Sequence, residues 1–107
     1  MIRKQKLYLK AKFFKGLADS TRLYILESLT EREKDVSQIV KATNQSQSNV
    51  SNHLKCLLEC GLVKNRRSGK NVYYSIRDEN VKKMLKETNQ ILFKIYNEIA
   101  RCKKYET

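Results

Sequence analysis

The sequence predicts a mainly α-helical fold with one small β-hairpin. Apolar residues recur three and four positions apart along most of the chain, the spacing that places them on one face of a helix. The exception is a pair of short strand-like runs on either side of a basic stretch that contains Gly69. A chain of 107 residues suffices for one domain with a modest core, so we assign residues 1–107 to a single domain with a long C-terminal helix.

The first two predicted helices are amphipathic. Leu7, Ala11 and Phe14 recur at helical spacing, which predicts a first helix over Lys4–Leu17. A second helix follows, and the side chain of Asp19 or Ser20 can cap it by accepting a free amide proton of its first turn. We expect its buried side to carry Leu23, Leu26 and Leu29. Tyr24 and Ile25 flank these leucines.

A short turn joins the third and fourth predicted helices. The third covers residues 35–42, with Val36, Ile39 and Val40 directed inward. The turn, residues 43–45, leads into a fourth helix over residues 46–60. Ser46 can cap this helix, and Gly61 supplies the left-handed position at its end. Two short helices joined by such a turn, the second polar on its outer side, are typical of a helix-turn-helix.

The fourth helix has three distinct faces. Its core face carries Val50, Leu54, Leu57 and Leu58. Its outer face carries short polar side chains of the kind that contact base edges in DNA. A third stripe, on the flank between these two, carries Asn49, His53, Cys56 and Cys60. The residues that we predict to contact bases and phosphates are Gln47, Ser48, Ser51, Asn52 and Lys55.

A basic hairpin follows the fourth helix. Residues 62–65 and 72–76 are the predicted strands, and residues 66–71 form the predicted tip, where Gly69 permits a positive φ. Beside a helix-turn-helix, a hairpin with three cations is a wing suited to phosphate or minor-groove contact. The alternative is a solvated turn, since Lys and Arg are common on exposed edges. The three cations are Arg66, Arg67 and Lys70.

The last predicted helix runs from a cap at Asp78 to about Cys102. Its apolar residues step alternately by four and three, which forms a heptad seam with Thr88 as a polar member. Since one small domain leaves little core for so long a strip, we expect a partner helix to cover the seam. Packing on the chain's own first helix is the alternative. The predicted dimerisation residues are Leu85, Leu92, Ile95 and Ile99.

The charge of the chain also points to a polyanionic partner. With 23 Lys and Arg against 11 Asp and Glu, the net charge is +12, which favours nucleic acid through counterion release, although solubility alone is an alternative. The sequence has neither an apolar run of membrane-spanning length nor a signal-peptide pattern, so we expect a cytoplasmic protein without a membrane partner. It also lacks a phosphate loop, paired acids and a nucleophile–base pair, so we expect no enzymatic activity.

Two of the three cysteines form a candidate metal site. Cys56 and Cys60 are one helical turn apart, which places their sulfurs within reach of a shared ion. Two thiolates do not fill a coordination sphere, and the remaining thiol, Cys102, would have to come from this chain or from a dimer mate. Three thiolates favour a soft ion. Simple packing of the cysteines is the alternative. His53 could be a fourth ligand, although a packed or hydrogen-bonded role is favoured.

Four motifs together resemble those of the ArsR/SmtB family. They are LADSTRLYIL at 17–26, SNVSNHL at 48–54, CGLV at 60–63 and GKNVYY at 69–74. The family consists of dimeric winged-helix repressors that leave their operator when a metal or metalloid binds. The resemblance implies a winged helix-turn-helix that dimerises through the first and last helices, with double-stranded operator DNA as partner. It also implies that residues 46–60 form the recognition helix.

The resemblance also narrows the choice of metal site. The third-helix site of arsenic and cadmium sensors uses Cys-x-Cys, and this chain has no thiol on that helix. The interhelical zinc site needs a histidine on the last helix, which has none. Residues 53–63, HLKCLLECGLV, are similar to the recognition helix of the CmtR branch of cadmium/lead sensors. That similarity implies that Cys56 and Cys60 of one subunit join Cys102 of the other to bind Cd(II) or Pb(II).

The sequence leaves two kinds of alternative: a different signal for the same repressor, and a function other than DNA binding. Zn(II), As(III) or Sb(III) could occupy the same thiols, or thiol oxidation could replace metal binding as the signal. A winged-helix protein-interaction module is the alternative outside DNA binding, with the heptad seam recruiting a different chain.

Overall fold

The computed structural model describes residues 3–101, and the side chains of residues 3–98. Within this part the chain is mostly helical with a small antiparallel sheet, which confirms the predicted fold class. No described helix is both long and apolar enough to cross a bilayer. The elements, in chain order, are α1 (Lys4–Leu17), α2 (Ser20–Leu29), β1 (Lys34–Asp35), α3 (Val36–Thr43), α4 (Gln47–Glu59), β2 (Val63–Ser68), β3 (Asn71–Ile76) and α5 (Glu79–Arg101).

Side-chain caps fix where the three central helices begin. Asp19 accepts the amide proton of Arg22 at 3.0 Å at the start of α2, and Ser46 accepts that of Asn49 at 3.1 Å at the start of α4. At α3, Asp35 forms a reciprocal capping box with Gln38. The amide hydrogen bond from Arg22 lowers the pKa of the Asp19 carboxyl below its ordinary value of 3.8. The stabilisation from this charged cap is therefore complete well above pH 3.8, declines as the pH falls below that value, and is gone once the pH has fallen through the lowered pKa.

The core lies between α2, α3 and α4 and extends to the base of the hairpin. The predicted inner faces of α3 and α4 are confirmed. On α2 the prediction was wrong at two positions, because Leu23 is 38% exposed and Ile25 is fully buried. The sequence favoured Leu23 for the buried side because it lies three residues before Leu26. In the structure, the helix instead turns Ile25, Leu26 and Leu29 towards α3 and α4. The core residues are Leu17, Ile25, Leu26, Leu29, Ile39, Val50, Leu54, Leu57, Leu62, Val63, Ile76 and Leu85.

The hairpin has longer strands and a shorter tip than the sequence predicts. β2 and β3 pair from Val63–Ile76 to Ser68–Asn71, so the tip contains only Gly69 and Lys70. Gly69 has φ +63°, as predicted. Arg66 and Arg67 therefore lie within β2 instead of at the tip. The length of β2 was underestimated because its residues beyond Val63 are exposed and do not alternate between apolar and polar. A third strand, β1, was not predicted, and it pairs with the outer side of β3.

The apolar seam of α5 divides into a buried and an exposed part. Leu85 is 5% exposed and belongs to the chain's own core. It is therefore a core residue and not part of the surface available for dimerisation. Further along, α5 exposes Ile91, Leu92, Phe93, Ile95 and Tyr96, and α1 exposes Leu7, Tyr8, Leu9 and Phe14. The side chain of Ile99 lies outside the described residues, as does Cys102.

Candidate nucleic-acid interface and thiol pair

The outer face of α4 is open to solvent along its length. The core side chains Val50, Leu54 and Leu57 hold the helix against α2 and α3, so the polar side chains on the opposite side project outward. All five residues predicted to contact DNA on this helix are exposed: Gln47, Ser48, Ser51, Asn52 and Lys55. Short donors and acceptors presented on a rigid helix are the arrangement that reads base edges in the major groove.

The three wing cations differ in their surroundings. Arg67 and Lys70 are exposed at the far end of the hairpin. Arg66 instead donates from Nε to Glu33 Oε2 at 2.9 Å and from its second terminal nitrogen to Oε1. Its guanidinium also lies 5.0 Å from the ring centre of Tyr73. The hydrogen bond from Arg66 lowers the pKa of the Glu33 carboxyl, and the same bond raises the pKa of Arg66.

Both described cysteines are free thiols. Cys56 is exposed and Cys60, the residue that ends α4, is half-buried. The Cys60 amide donates to the Cys56 carbonyl at 2.9 Å, so the two residues follow each other on adjacent turns. Across residues 3–98, no three His, Cys, Asp or Glu side chains cluster as a metal site would require. The third ligand, predicted at Cys102, stays a prediction.

Helix α1 passes close to the Cys60 sulfur at Gly16. A Cβ atom on Gly16 would lie 3.2 Å from Cys60 Sγ and 3.9 Å from Leu62 Cδ1. Gly16 does not have a positive φ, so the close approach, and not the backbone conformation, favours glycine here. The sequence carried no signal for this contact, because a glycine near the end of a helix is unremarkable in isolation.

Arg22 connects three helices beside this contact. From α2, its Nε donates to the Gly16 carbonyl at 2.6 Å and one terminal nitrogen lies 3.4 Å from His53 Nδ1 on α4. Its other terminal nitrogen reaches the Lys15 carbonyl at 3.5 Å. Since a guanidinium only donates, this contact is a hydrogen bond in the His53 tautomer whose Nδ1 is free to accept. His53 thus has the hydrogen-bonded role that the sequence favoured, whereas the part played by Arg22 was not predicted.

Replacing Gly16 by alanine tests the contact between α1 and Cys60. In an ordinary helix interior this change stabilises by about 0.5–1 kcal/mol, because glycine loses more conformational freedom on folding. At Gly16 we expect that gain to be cancelled or reversed, since the added methyl group presses on the sulfur and overpacking costs about 1–3 kcal/mol. Urea unfolding of Gly16→Ala and the wild type measures the difference.

Cys60→Ala supplies the matched background, because it removes the sulfur. In that background Gly16→Ala should regain its stabilising effect, so the two substitutions should couple by about 1 kcal/mol or more. Equal effects of Gly16→Ala with and without the sulfur would contradict the contact.

Comparison with known proteins places these features in a family. A family model described as "Bacterial regulatory protein, arsR family" matches residues 19–65. A probable mercury resistance operon repressor of Streptomyces lividans is 44% identical over 71 residues, which cover 66% of this chain and 57% of that protein. The chain therefore spans less than two thirds of the length of this relative.

Two further relatives match over more of their length. The HTH-type transcriptional regulator CmtR of Mycobacterium bovis is 35% identical over 85 residues, which cover 79% of this chain and 72% of that protein. The chain is also similar to the solution structure of a homodimeric winged helix-turn-helix DNA-binding domain from M. bovis, Mb0332, described as a possible ArsR-family transcriptional regulator. It matches with a TM-score of 0.81 and 30% identity, covering 91% of this chain and 93% of that one.

Proposed function

The chain belongs to the ArsR family of bacterial regulatory proteins, and from this premise we propose that it is a homodimeric transcriptional repressor released from its operator by a soft metal ion. The observation that carries the proposal is the position of the thiol pair. Cys56 lies on α4 and Cys60 is the residue that caps its end, while the outer face of α4 exposes the polar side chains that we propose to contact DNA. An ion bound by these two sulfurs would therefore act directly on the helix that we propose to contact the operator.

In the metal-free state, each α4 lies in a major groove, with the two helices of the dimer about one DNA turn apart. Gln47, Ser48, Ser51, Asn52 and Lys55 supply the base and phosphate contacts. Arg67 and Lys70 bind the flanking backbone, and Arg66 has to leave Glu33 before it can do the same. The net charge of +12 supports this role, since phosphate contacts dominate the affinity of DNA-binding proteins.

The thiols suit a soft ion. Cys56 and Cys60 contribute two sulfur ligands, and the partner subunit's Cys102 is the proposed third. Thiolates select Cd(II), Pb(II) or Zn(II) over magnesium or calcium. The Streptomyces lividans relative is named for mercury resistance, and Hg(II) is also soft, so it belongs among the candidate effectors.

The contacts of α4 offer a route from the thiols to the rest of the dimer. Cys60 packs against Gly16 of α1, and Arg22 ties the end of α1 to His53. A shift of the Cys60 sulfur on binding an ion is thereby passed to α1, whose exposed apolar face is part of the proposed dimer contact. A useful switch needs a coupling free energy of about 1–3 kcal/mol between metal and DNA.

Fluorescence anisotropy with a labelled promoter fragment, under strict reduction, tests the proposal. We expect salt-dependent binding of the metal-free protein, and a loss of affinity of about 5- to 150-fold on adding Cd(II), Pb(II) or Hg(II). A response confined to As(III) or Sb(III), or to oxidant, would keep the fold and replace the signal. Absence of salt-dependent DNA binding would overturn the proposal and favour a protein-interaction module.

A further inference from the structure

We infer that Glu33 limits the affinity of the wing for DNA, because its carboxylate occupies the guanidinium of Arg66 that would otherwise bind a phosphate. The inference rests on the proposed DNA-binding function and adds an affinity-setting residue outside the recognition helix. Glu33 lies just before β1, in the turn that follows α2.

The geometry of the pair is that of phosphate recognition. Arg66 uses two nitrogens against both carboxylate oxygens of Glu33, with Nε to Oε2 at 2.9 Å. Such a fork binds a carboxylate and a phosphate in the same two-pronged way. Glu33 therefore occupies the donors with which Arg66 would hold the DNA backbone.

The sheet directs Arg66 towards Glu33. In the strand order β1-β3-β2, Arg66 on β2 pairs directly with Tyr73 on β3, and Tyr73 also pairs with Asp35 on β1. The guanidinium lies over the Tyr73 ring and so extends across β3 to the start of β1, where Glu33 is located. The side chain is thus held along the sheet surface instead of projecting from the wing.

The pair is nevertheless accessible to a competing anion. The Arg66 side chain is 56% exposed and that of Glu33 is 37% exposed. Exposed ion pairs are weak and salt-sensitive, so removing the carboxylate should release Arg66 without unfolding the wing. The hydrogen bond from Arg66 is the main cause of the lowered Glu33 pKa, and the nearby charge of Lys64 adds a smaller lowering.

Glu33→Gln tests the inference, because it removes the charge and keeps the size of the side chain. We expect operator affinity to rise about threefold per subunit, the range of an exposed ion pair. The slope of log K against log salt should steepen by about 0.9 per subunit, the value for one added phosphate contact. Anisotropy titrations at four salt concentrations measure both quantities.

The matched control is Glu31→Gln. Glu31 lies two residues away, is more exposed, and contacts Arg32 at 3.9 Å and Lys34 at 4.0 Å instead of Arg66. The Glu31→Gln substitution removes the same charge from the same segment of the chain. It therefore measures how much DNA affinity is gained from the change in net charge alone. Arg66→Ala should abolish the gain in the Glu33→Gln background, because the guanidinium that the inference releases is then missing.

The outcomes separate this inference from the proposed function. If the wild type binds DNA but Glu33→Gln gains no more than Glu31→Gln, or loses affinity, Glu33 does not restrain Arg66 and the inference is wrong. The same conclusion follows if the gain persists when Arg66 is replaced by alanine. Absence of salt-dependent DNA binding by the wild type would overturn both the inference and the proposed function.

Discussion

Replacing Cys56 by serine should abolish the proposed metal response of operator binding and leave the metal-free affinity close to that of the wild type. Cys56 is exposed on the flank of α4, so the change removes a soft ligand without disturbing the core. The coupling between metal and DNA, about 1–3 kcal/mol or 5- to 150-fold in affinity, should fall to nearly nothing. Operator titrations with and without Cd(II) or Pb(II), under strict reduction, measure this difference.

Variants of the other two cysteines test the proposed ligand set. Cys60→Ser and Cys102→Ser should lose the response as completely as Cys56→Ser, since a three-thiolate site fails when any ligand is missing. Ultraviolet thiolate-to-metal absorption on adding each ion reports binding independently of DNA. Ser48→Ala is the contrasting control, because it alters the side of α4 that is proposed to face DNA and should leave this absorption unchanged. A full response from Cys102→Ser would exclude Cys102 as the third ligand.

The helices of the DNA-binding unit were predictable because their ends carry local signals. Asp19 and Ser46 cap the helices that they precede, and Gly61 takes its left-handed conformation with φ +76°. These signals act within a few residues and depend little on the rest of the fold. The inner face of α2 was harder, since Leu23 and Ile25 are both apolar and only the positions of α3 and α4 decide which one is buried.

The contacts around the candidate site could not be predicted in this way. Arg22 meets His53 across 31 positions of sequence, and Arg66 meets Glu33 across 33. Neither pair has a periodicity, and each exists only because the folded helices and sheet bring the residues together. The sequence identified Arg66 as an exposed cation from its type and position in the hairpin, whereas its partner depends on a two-residue strand, β1, that had no pattern of its own.

Replacing both Leu92 and Ile95 by glutamate should yield a monomer with very weak operator binding. Both side chains are exposed on α5, and α1 exposes a second row of large apolar residues. Apolar surface of this kind on two helices is typical of an interaction site. Buried carboxylates would oppose association, since charges removed from water need a partner. Losing the second half-site should lower operator affinity towards the non-specific range, by about 10³-fold or more.

Sedimentation velocity and operator titration of the same variants separate dimer loss from general effects. Asn97→Glu is the matched control, because it adds a negative charge to the exposed part of α5 about 200° from Ile95 around the helix. We expect this control to remain a dimer with nearly normal affinity. The salt dependence of the double variant should fall to about half that of the wild type, since one subunit makes half of the phosphate contacts.

A double variant that stays dimeric would place the interface elsewhere. A wild type that sediments as a monomer and yet binds its operator specifically would contradict the dimeric repressor, and the apolar faces of α1 and α5 would then need another partner.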